Sequence, residues 1–132
     1  MTSKIDKLFI IVGLLFAGAG LLLGEYMGHS GNHMQMPTHA HIMLVGWVFP
    51  ALYGLIYRAF PAMKAGALPY LHFYLHLVGA TALAVGMALV FNGHPETGPV
   101  IVLLAGGSSL LILGWLLFLI LFLTRSGKDA GA

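Results

Sequence analysis

Four long apolar runs, separated by short polar or Gly/Pro-rich breaks, are the main pattern along this chain. They cover residues 8–24, 39–60, 69–91 and 100–124. Each run is close to the ~20 residues that a helix needs to cross a hydrocarbon core of ~30 Å. A helix also satisfies its own backbone hydrogen bonds in lipid, which an open strand does not. The pattern therefore predicts an all-α integral membrane protein whose single domain, residues 1–132, is a bundle of four transmembrane helices.

The few cationic side chains all fall on one side of the predicted bundle. Two precede the first run, two lie between the second and third runs, and two follow the fourth run: Lys4, Lys7, Arg58, Lys64, Arg125 and Lys128. The loops on the other side, residues 25–38 and 92–99, contain no Lys or Arg. The positive-inside rule therefore predicts that both termini are cytoplasmic. We expect a multi-pass protein of a bacterial-type inner (cytoplasmic) membrane.

The composition excludes several classes of protein. Apolar residues make up 59% of the chain and charged residues only 8%, whereas soluble domains carry about 25% charged residues. A soluble globule, a disordered chain and a nucleic-acid-binding protein are therefore excluded. Because the sequence has no Cys, disulfides, thiolate metal sites and Cys nucleophiles are excluded too. The seven His and seven Met residues are left as the candidates for chemistry.

His39 and His41, at the start of the second run, form the strongest candidate site. Ionisable groups in a bilayer are costly, so each is a functional hypothesis. Two residues along an α-helix correspond to ~200° of rotation, so the two imidazoles should point in nearly opposite directions. Each would then serve a different cofactor or a different neighbouring subunit. In the alternative interpretation, both are ordinary polar residues at the membrane–water interface.

His72 and His76 lie four residues apart on the third helix and therefore share a face. Counted from the helix centres, His41 lies ~13 Å towards the outside and His76 ~6 Å towards the inside. This difference of nearly 20 Å in depth argues against one haem shared by the two residues, since axial nitrogens lie about 4 Å apart across a metal. The alternative role for His72 and His76 is hydrogen bonding between helices near the inner face.

A second group of His and Met residues lies in and around the loop before the second run. It comprises Met27, His29, His33, Met34 and Met36, with His94 on the same predicted side of the membrane. Thioether and imidazole ligands suit Cu(I), so a copper site is a candidate here. The alternative is a flexible, Met-rich loop, because the spacing matches no fixed ligand geometry.

The second and third runs resemble parts of a known family. The segment HAHIMLVGWV at residues 39–48 is similar to the tenth helix of subunit I of the haem–copper oxidases and the related nitric-oxide reductases, and most similar to the C-type oxidases. The segment HFYL at residues 72–75, followed by Gly79, resembles the start of the eleventh helix. The resemblance as a whole covers about half of the chain well and the rest only by hydropathy. In that family the first His ligates the high-spin haem and the second ligates the low-spin haem, which is what the resemblance implies for His39 and His41.

The resemblance also implies an assembly. Subunit I of the family holds about twelve helices in three arcs, whereas this chain has the length of one arc. A homotrimer would rebuild the twelve-helix ring. His41 of one subunit would then share a haem with His39 or His41 of its neighbour. Because the chain does not contain three distinct arcs, we do not expect a dedicated copper site, a proton channel or full proton-pumping oxidase activity.

The residues and the resemblance together predict a membrane-embedded haem b protein that acts in electron transfer or binds a diatomic gas such as O2 or NO. His39 and His41 would be the haem or metal ligands, with Trp47 beside the cofactor. The expected partners are the bilayer, further copies of the chain, and a redox partner or quinol. Whether the chain is an enzyme stays open. So do two alternatives: a copper-handling membrane protein that uses the Met/His loop, and a structural subunit of a respiratory complex without a cofactor.

Overall fold

Four long helices form the computed structural model, which describes residues 3–131, with side chains for residues 3–128. Helix α1 is Ile5–Ser30, α2 is Met36–Ala59 and α3 is Leu68–Phe91. Helix α4 begins as Pro99–Ile101, is π-helical over Val102–Gly106 and continues over Gly107–Arg125. Short 3-10 turns follow α2 and α4, at Pro61–Lys64 and Ser126–Gly131. No β-strand occurs in the described part of the chain.

The predicted all-α multi-pass architecture is confirmed, because four helices are long and apolar enough to span a membrane. Their ends differ from the prediction at the loop before α2. Helix α1 continues six residues past the predicted end at Gly24, to Ser30. These residues are polar but still helical, with Glu25 and His29 in contact at 2.8 Å, one turn apart. Gly31 stops the helix with a left-handed φ of 67°, and its N–H donates to the Met27 carbonyl.

The chain runs up and down, so its cationic residues gather at one end of the bundle. Two of the contacts that join the segments there involve cations. The Lys64 ammonium lies 3.7 Å from the carboxylate of Asp6, and Arg125 donates to the carbonyl of Ala65 over 2.6 Å. We call this the cation-rich end, and the start of α2 lies at the opposite end.

Helices α1 and α2 approach closely where glycine faces a larger group. The Trp47 ring lies over Gly13, where a Cβ atom would be 3.0 Å from the indole. A Cβ atom at Gly54 would be 2.7 Å from the backbone carbonyl of Asp6. Small residues let helix backbones approach in lipid, where packing replaces the hydrophobic effect as the force between helices. These contacts lie within one chain.

Helices α3 and α4 meet in the same way. A Cβ atom at Gly107 would lie 2.7 Å from the backbone nitrogen of Leu83 and 2.9 Å from the carbonyl of Gly79. Backbone atoms of a packed helix do not move aside as the tip of a flexible side chain does. The neighbouring Gly106 faces open space. The closest approach of α3 and α4 therefore depends on Gly107.

The main buried cluster lies between the helix centres and the cation-rich end. All four helices contribute to it, through Phe9, Tyr53, Tyr57, His72, Phe73, His76 and Phe118. We call this set the His–aromatic cluster. The rings of Phe9 and His72 are 4.8 Å apart, and those of Tyr53 and Phe118 are 4.5 Å apart. This cluster joins the pair α1–α2 to the pair α3–α4.

We predict that Gly107→Ala lowers the free energy of unfolding by about 1–3 kcal/mol, because the added methyl group overpacks the α3–α4 contact. The matched control is Gly106→Ala, which we expect to change stability by no more than about 0.5 kcal/mol. Thermal or denaturant unfolding in one detergent measures both variants. Equal stability of the two variants would contradict the assigned contact.

Candidate functional site

Side-chain hydrogen bonds hold the start of helix α2, just before the His-x-His pair. Pro37 occupies a first-turn position, where its missing N–H costs nothing. The hydroxyl of Thr38, which is buried, donates to the side-chain oxygen of Gln35 over 2.7 Å. The Gln35 amide in turn donates to the carbonyl of Ala88 on α3. The start of α2 is therefore fixed against α3.

His39 faces α1. Its Nδ1 is 2.8 Å from the carbonyl of Gly20, and because a carbonyl only accepts, Nδ1 carries the proton and donates. The ring is partly buried and lies over Gly24, where a Cβ atom would be 3.0 Å from Cε1. His39 therefore occupies the contact between α1 and α2.

His41 is exposed on another side of α2. Its Nδ1 lies 2.9 Å from the carbonyl of Pro37 and donates to it. The surroundings of the two imidazoles differ, in agreement with the rotation expected for two residues along a helix. His41 lies on a stripe of exposed side chains that includes Leu44 and Val48. This stripe faces away from the other helices of the chain.

The two histidines share one chemical property. In each ring Nδ1–H is engaged by a backbone carbonyl, so in the neutral ring Nε2 carries the lone pair. Histidines that ligate a metal usually donate their other ring N–H to a carbonyl or carboxylate, which fixes the ring and raises its basicity. Both residues therefore have the hydrogen-bonding pattern of an imidazole ligand. Trp47 lies on the α1 side of α2, where its ring packs over Gly13.

The residues predicted for copper do not share one environment. Met27 is buried in α1, while Met34 and Met36 are exposed. The ring of His29 pairs with Glu25, and His33 donates to the carbonyl of Gly31. His94 is exposed in the loop between α3 and α4. Within residues 3–131, no group of three or more His, Asp or Glu side chains is arranged to hold a metal ion.

His72 and His76 form hydrogen bonds between helices, as the alternative interpretation predicts. Nδ1 of His72 is 3.0 Å from the hydroxyl of Tyr57, in a fully buried contact. Nε2 of His76 donates to the carbonyl of Val45 over 2.9 Å. The other nitrogen of His72, Nε2, is buried and has no partner within the described part of the chain. Both residues tie α3 to α2.

The position of His76 also corrects the depth calculation. Its ring reaches Val45, which lies one turn along α2 from His41, or ~6 Å. The difference in depth is therefore smaller than the nearly 20 Å predicted. The calculation used helix centres and omitted the length and direction of the side chain. His76 nevertheless donates into the bundle while His41 is exposed, so the two rings serve different surroundings.

Pro50 leaves a backbone carbonyl of α2 without its helical donor, and His76 supplies a donor in its place. Residues Ile42–Val48 form a π-helical segment, and Phe49 closes it by donating to the carbonyl of Leu44, five residues earlier. The next bond in this register would run from residue 50 to the carbonyl of Val45. Pro50 has no N–H, so that carbonyl loses its helical donor. In lipid, freed backbone groups must be satisfied by neighbouring helices or polar side chains, and His76 supplies the donor.

Sequence reasoning missed the pairing of Pro50 with His76. Both residues were visible as exceptions in apolar runs. A Pro within a transmembrane run signals a freed carbonyl, and a His at mid-depth on a neighbouring helix is a suitable donor. The sequence alone did not show that these two positions face each other.

A cavity of about 320 Å³ lies beside the His–aromatic cluster, between α2, α3 and α4. Its wall is apolar except for a few side chains, and it is lined by Val45, Phe49, Tyr53, His76, Leu111, Ile112 and Trp115. His76, which donates to the Val45 carbonyl of α2, therefore also forms part of the cavity wall.

Comparisons of the chain with models of protein families, with curated protein sequences and with solved structures give no match. The resemblance to haem–copper oxidase subunit I therefore stands on the sequence segments alone.

We predict that His76→Leu lowers the free energy of unfolding by about 1–3 kcal/mol, because it leaves the Val45 carbonyl buried without a donor. In a Pro50→Ala background the backbone regains an N–H, so the same change should cost clearly less. Unfolding of the four proteins in one detergent gives this double-mutant cycle. Additive losses would show that His76 does not compensate for Pro50.

Proposed function

We propose that this chain is a membrane-embedded haem b protein that acts in electron transfer or in binding a diatomic gas such as O2 or NO. The observation that carries the proposal is the hydrogen-bonding state of His39 and His41. Each donates Nδ1–H to a backbone carbonyl and keeps the Nε2 lone pair, which is the state that haem iron requires of an imidazole. The similarity of residues 39–48 to the haem-ligating helix of the oxidases supports the same assignment.

The surroundings of the two histidines indicate where a haem would fit. The His39 ring is packed over Gly24, whereas His41 is exposed at the head of the apolar stripe that contains Leu44 and Val48. A haem needs apolar surface on both of its faces and a ligand from at least one. One chain offers His41 only one such surface. We therefore propose that His41 holds the haem between subunits, with a neighbour's copy of α2 on the other face.

A homotrimer is the assembly that we propose. Most homo-oligomers have closed point-group symmetry, and three copies of four helices would make the twelve-helix ring that the resemblance implies. His39 would be a further ligand, or would ligate a second metal, after a small rearrangement at Gly24. When bound, the haem would supply a one-electron couple, or an open iron position for a gas. The protein would supply the axial nitrogens and the apolar surface that set its potential.

The charge distribution supports an orientation for this assembly. Lys and Arg residues collect at the cation-rich end, as the contacts of Lys64 and Arg125 illustrate. Cytoplasmic loops carry an excess of such residues. We therefore propose that both termini face the cytoplasm of a bacterial-type cell, with His39 and His41 near the outer face. A redox partner or quinol would then deliver or accept electrons.

We predict that the purified protein shows a Soret band, with sharp α and β bands after reduction if the haem is six-coordinate. His41→Ala should reduce the haem content about tenfold or more, because it removes an axial ligand. His33→Ala is the matched control, since this His is also exposed at the same end but is not assigned to haem. His76→Ala should keep most of the haem.

Absorbance per chain and native mass spectrometry of the same preparations measure haem content and the number of chains. Equal losses in the His41, His33 and His76 variants would contradict the ligand assignment. A folded protein that stays colourless after added haem would contradict the haem proposal as a whole. Copper retained by that protein without His39 and His41 would favour the Met/His loop instead.

A further inference from the structure

The cavity between α2, α3 and α4 opens on the outer surface of the bundle. Three of its lining side chains are widely exposed: Phe49 by 44%, Ile112 by 59% and Trp115 by 48%. They lie near the centres of helices that are long and apolar enough to span a membrane, so the cavity opens at the depth of the hydrocarbon core. A ligand of this cavity must therefore arrive through the bilayer.

The lining of the cavity includes a buried imidazole with a defined proton position. His76 is only 4% exposed, and its Nε2–H is used by the Val45 carbonyl. In the neutral ring, Nδ1 therefore has a free lone pair and accepts hydrogen bonds. Tyr53 also lines the cavity and carries a hydroxyl, while the hydrogen bond to His72 is made by Tyr57. A mainly apolar cavity with a few convergent polar groups is the usual form of a small-molecule site.

We propose that this cavity binds the ring of a membrane quinol. The rings of Phe49, Tyr53 and Trp115 suit a flat aromatic ligand. The volume of about 320 Å³ is at the small end of the usual range for ligand pockets, so it suits a single ring whose tail extends into the lipid. A ring hydroxyl of the quinol donates to Nδ1 of His76. A lipid acyl chain has no donor for this atom.

The direction of the hydrogen bond predicts that the cavity distinguishes the quinol from the quinone. A quinol hydroxyl can donate to Nδ1 of His76, whereas the carbonyl of the oxidised quinone places a second lone pair against it. We therefore expect the quinol to bind more tightly than the quinone by about three- to tenfold, the ratio that one hydrogen bond provides. This inference rests on the cavity and not on the proposed haem.

The test is photolabelling of the full chain in nanodiscs with a quinone that carries an azido group. Mass spectrometry should locate the label in the segments 49–53 and 111–115. A short-chain quinol, added anaerobically, should suppress the labelling at a concentration about three- to tenfold lower than the matching quinone does. The haem spectrum of the same sample is an independent measurement, so failure of one proposal is distinguishable from failure of the other.

Two pairs of variants make the test specific. Ile112→Phe fills the mouth of the cavity and should reduce labelling about tenfold, whereas Ile120→Phe is the control, since Ile120 is similarly exposed on the same helix. In the Pro50→Ala background, His76→Leu should abolish the preference for quinol, relative to Pro50→Ala alone.

Two kinds of result would overturn the proposal. The first is equal labelling of the two isoleucine variants, or labelling that no competitor suppresses, since either would show simple partition into lipid. The second is displacement of the label by added phospholipid alone, which would show that the cavity holds an acyl chain.

Discussion

The hydrogen bond from His76 to the carbonyl of Val45 closes the gap that Pro50 opens in α2. In water such a carbonyl would be hydrated, but a membrane offers no solvent donor, so the partner must come from the protein. This requirement fixes α3 beside the middle of α2 at one depth and one rotation. The neighbouring bond between Tyr57 and His72 fixes the same pair of helices nearer the cation-rich end. Together with the bond from Gln35 to the Ala88 carbonyl at the start of α2, these two polar contacts set the register in which the apolar side chains pack.

Glycine contacts hold α1 and α4 against the outer sides of the α2–α3 pair. Gly54 brings α1 against α2, and Gly107 brings α4 against α3. Because apolar side chains gain no hydrophobic energy by leaving lipid for protein, such close contacts and the hydrogen bonds must supply the association energy. The His–aromatic cluster then fills the space where the two pairs meet, through Phe9 on one side and Phe118 on the other. The fold therefore depends on a few sites where helix backbones come close together, more than on the amount of apolar area that is buried.

The sequence predicts the four spans because hydropathy and span length follow directly from composition. It also predicts the separation of His39 from His41, which needs only the helical period. It places the end of α1 too early, because Glu25–Ser30 is polar but helical, and hydropathy does not detect a polar helical extension. The hydrogen-bond donor to the Val45 carbonyl could not be predicted, for a different reason. A freed carbonyl can be inferred from Pro50, but its donor depends on the π-helical register and on which helix lies alongside.

The histidines of this bundle differ in which ring nitrogen donates to the backbone. In His76 the proton is on Nε2 and the free lone pair on Nδ1, next to the backbone and inside the bundle. In His39 and His41 the proton is on Nδ1, and the free lone pair is on Nε2, at the tip of the ring. A lone pair at the tip of the ring points away from the helix backbone, whereas a lone pair on Nδ1 lies beside it. The position of the backbone carbonyl that accepts from each histidine thus decides which ring nitrogen is left to accept a hydrogen bond or to bind a metal.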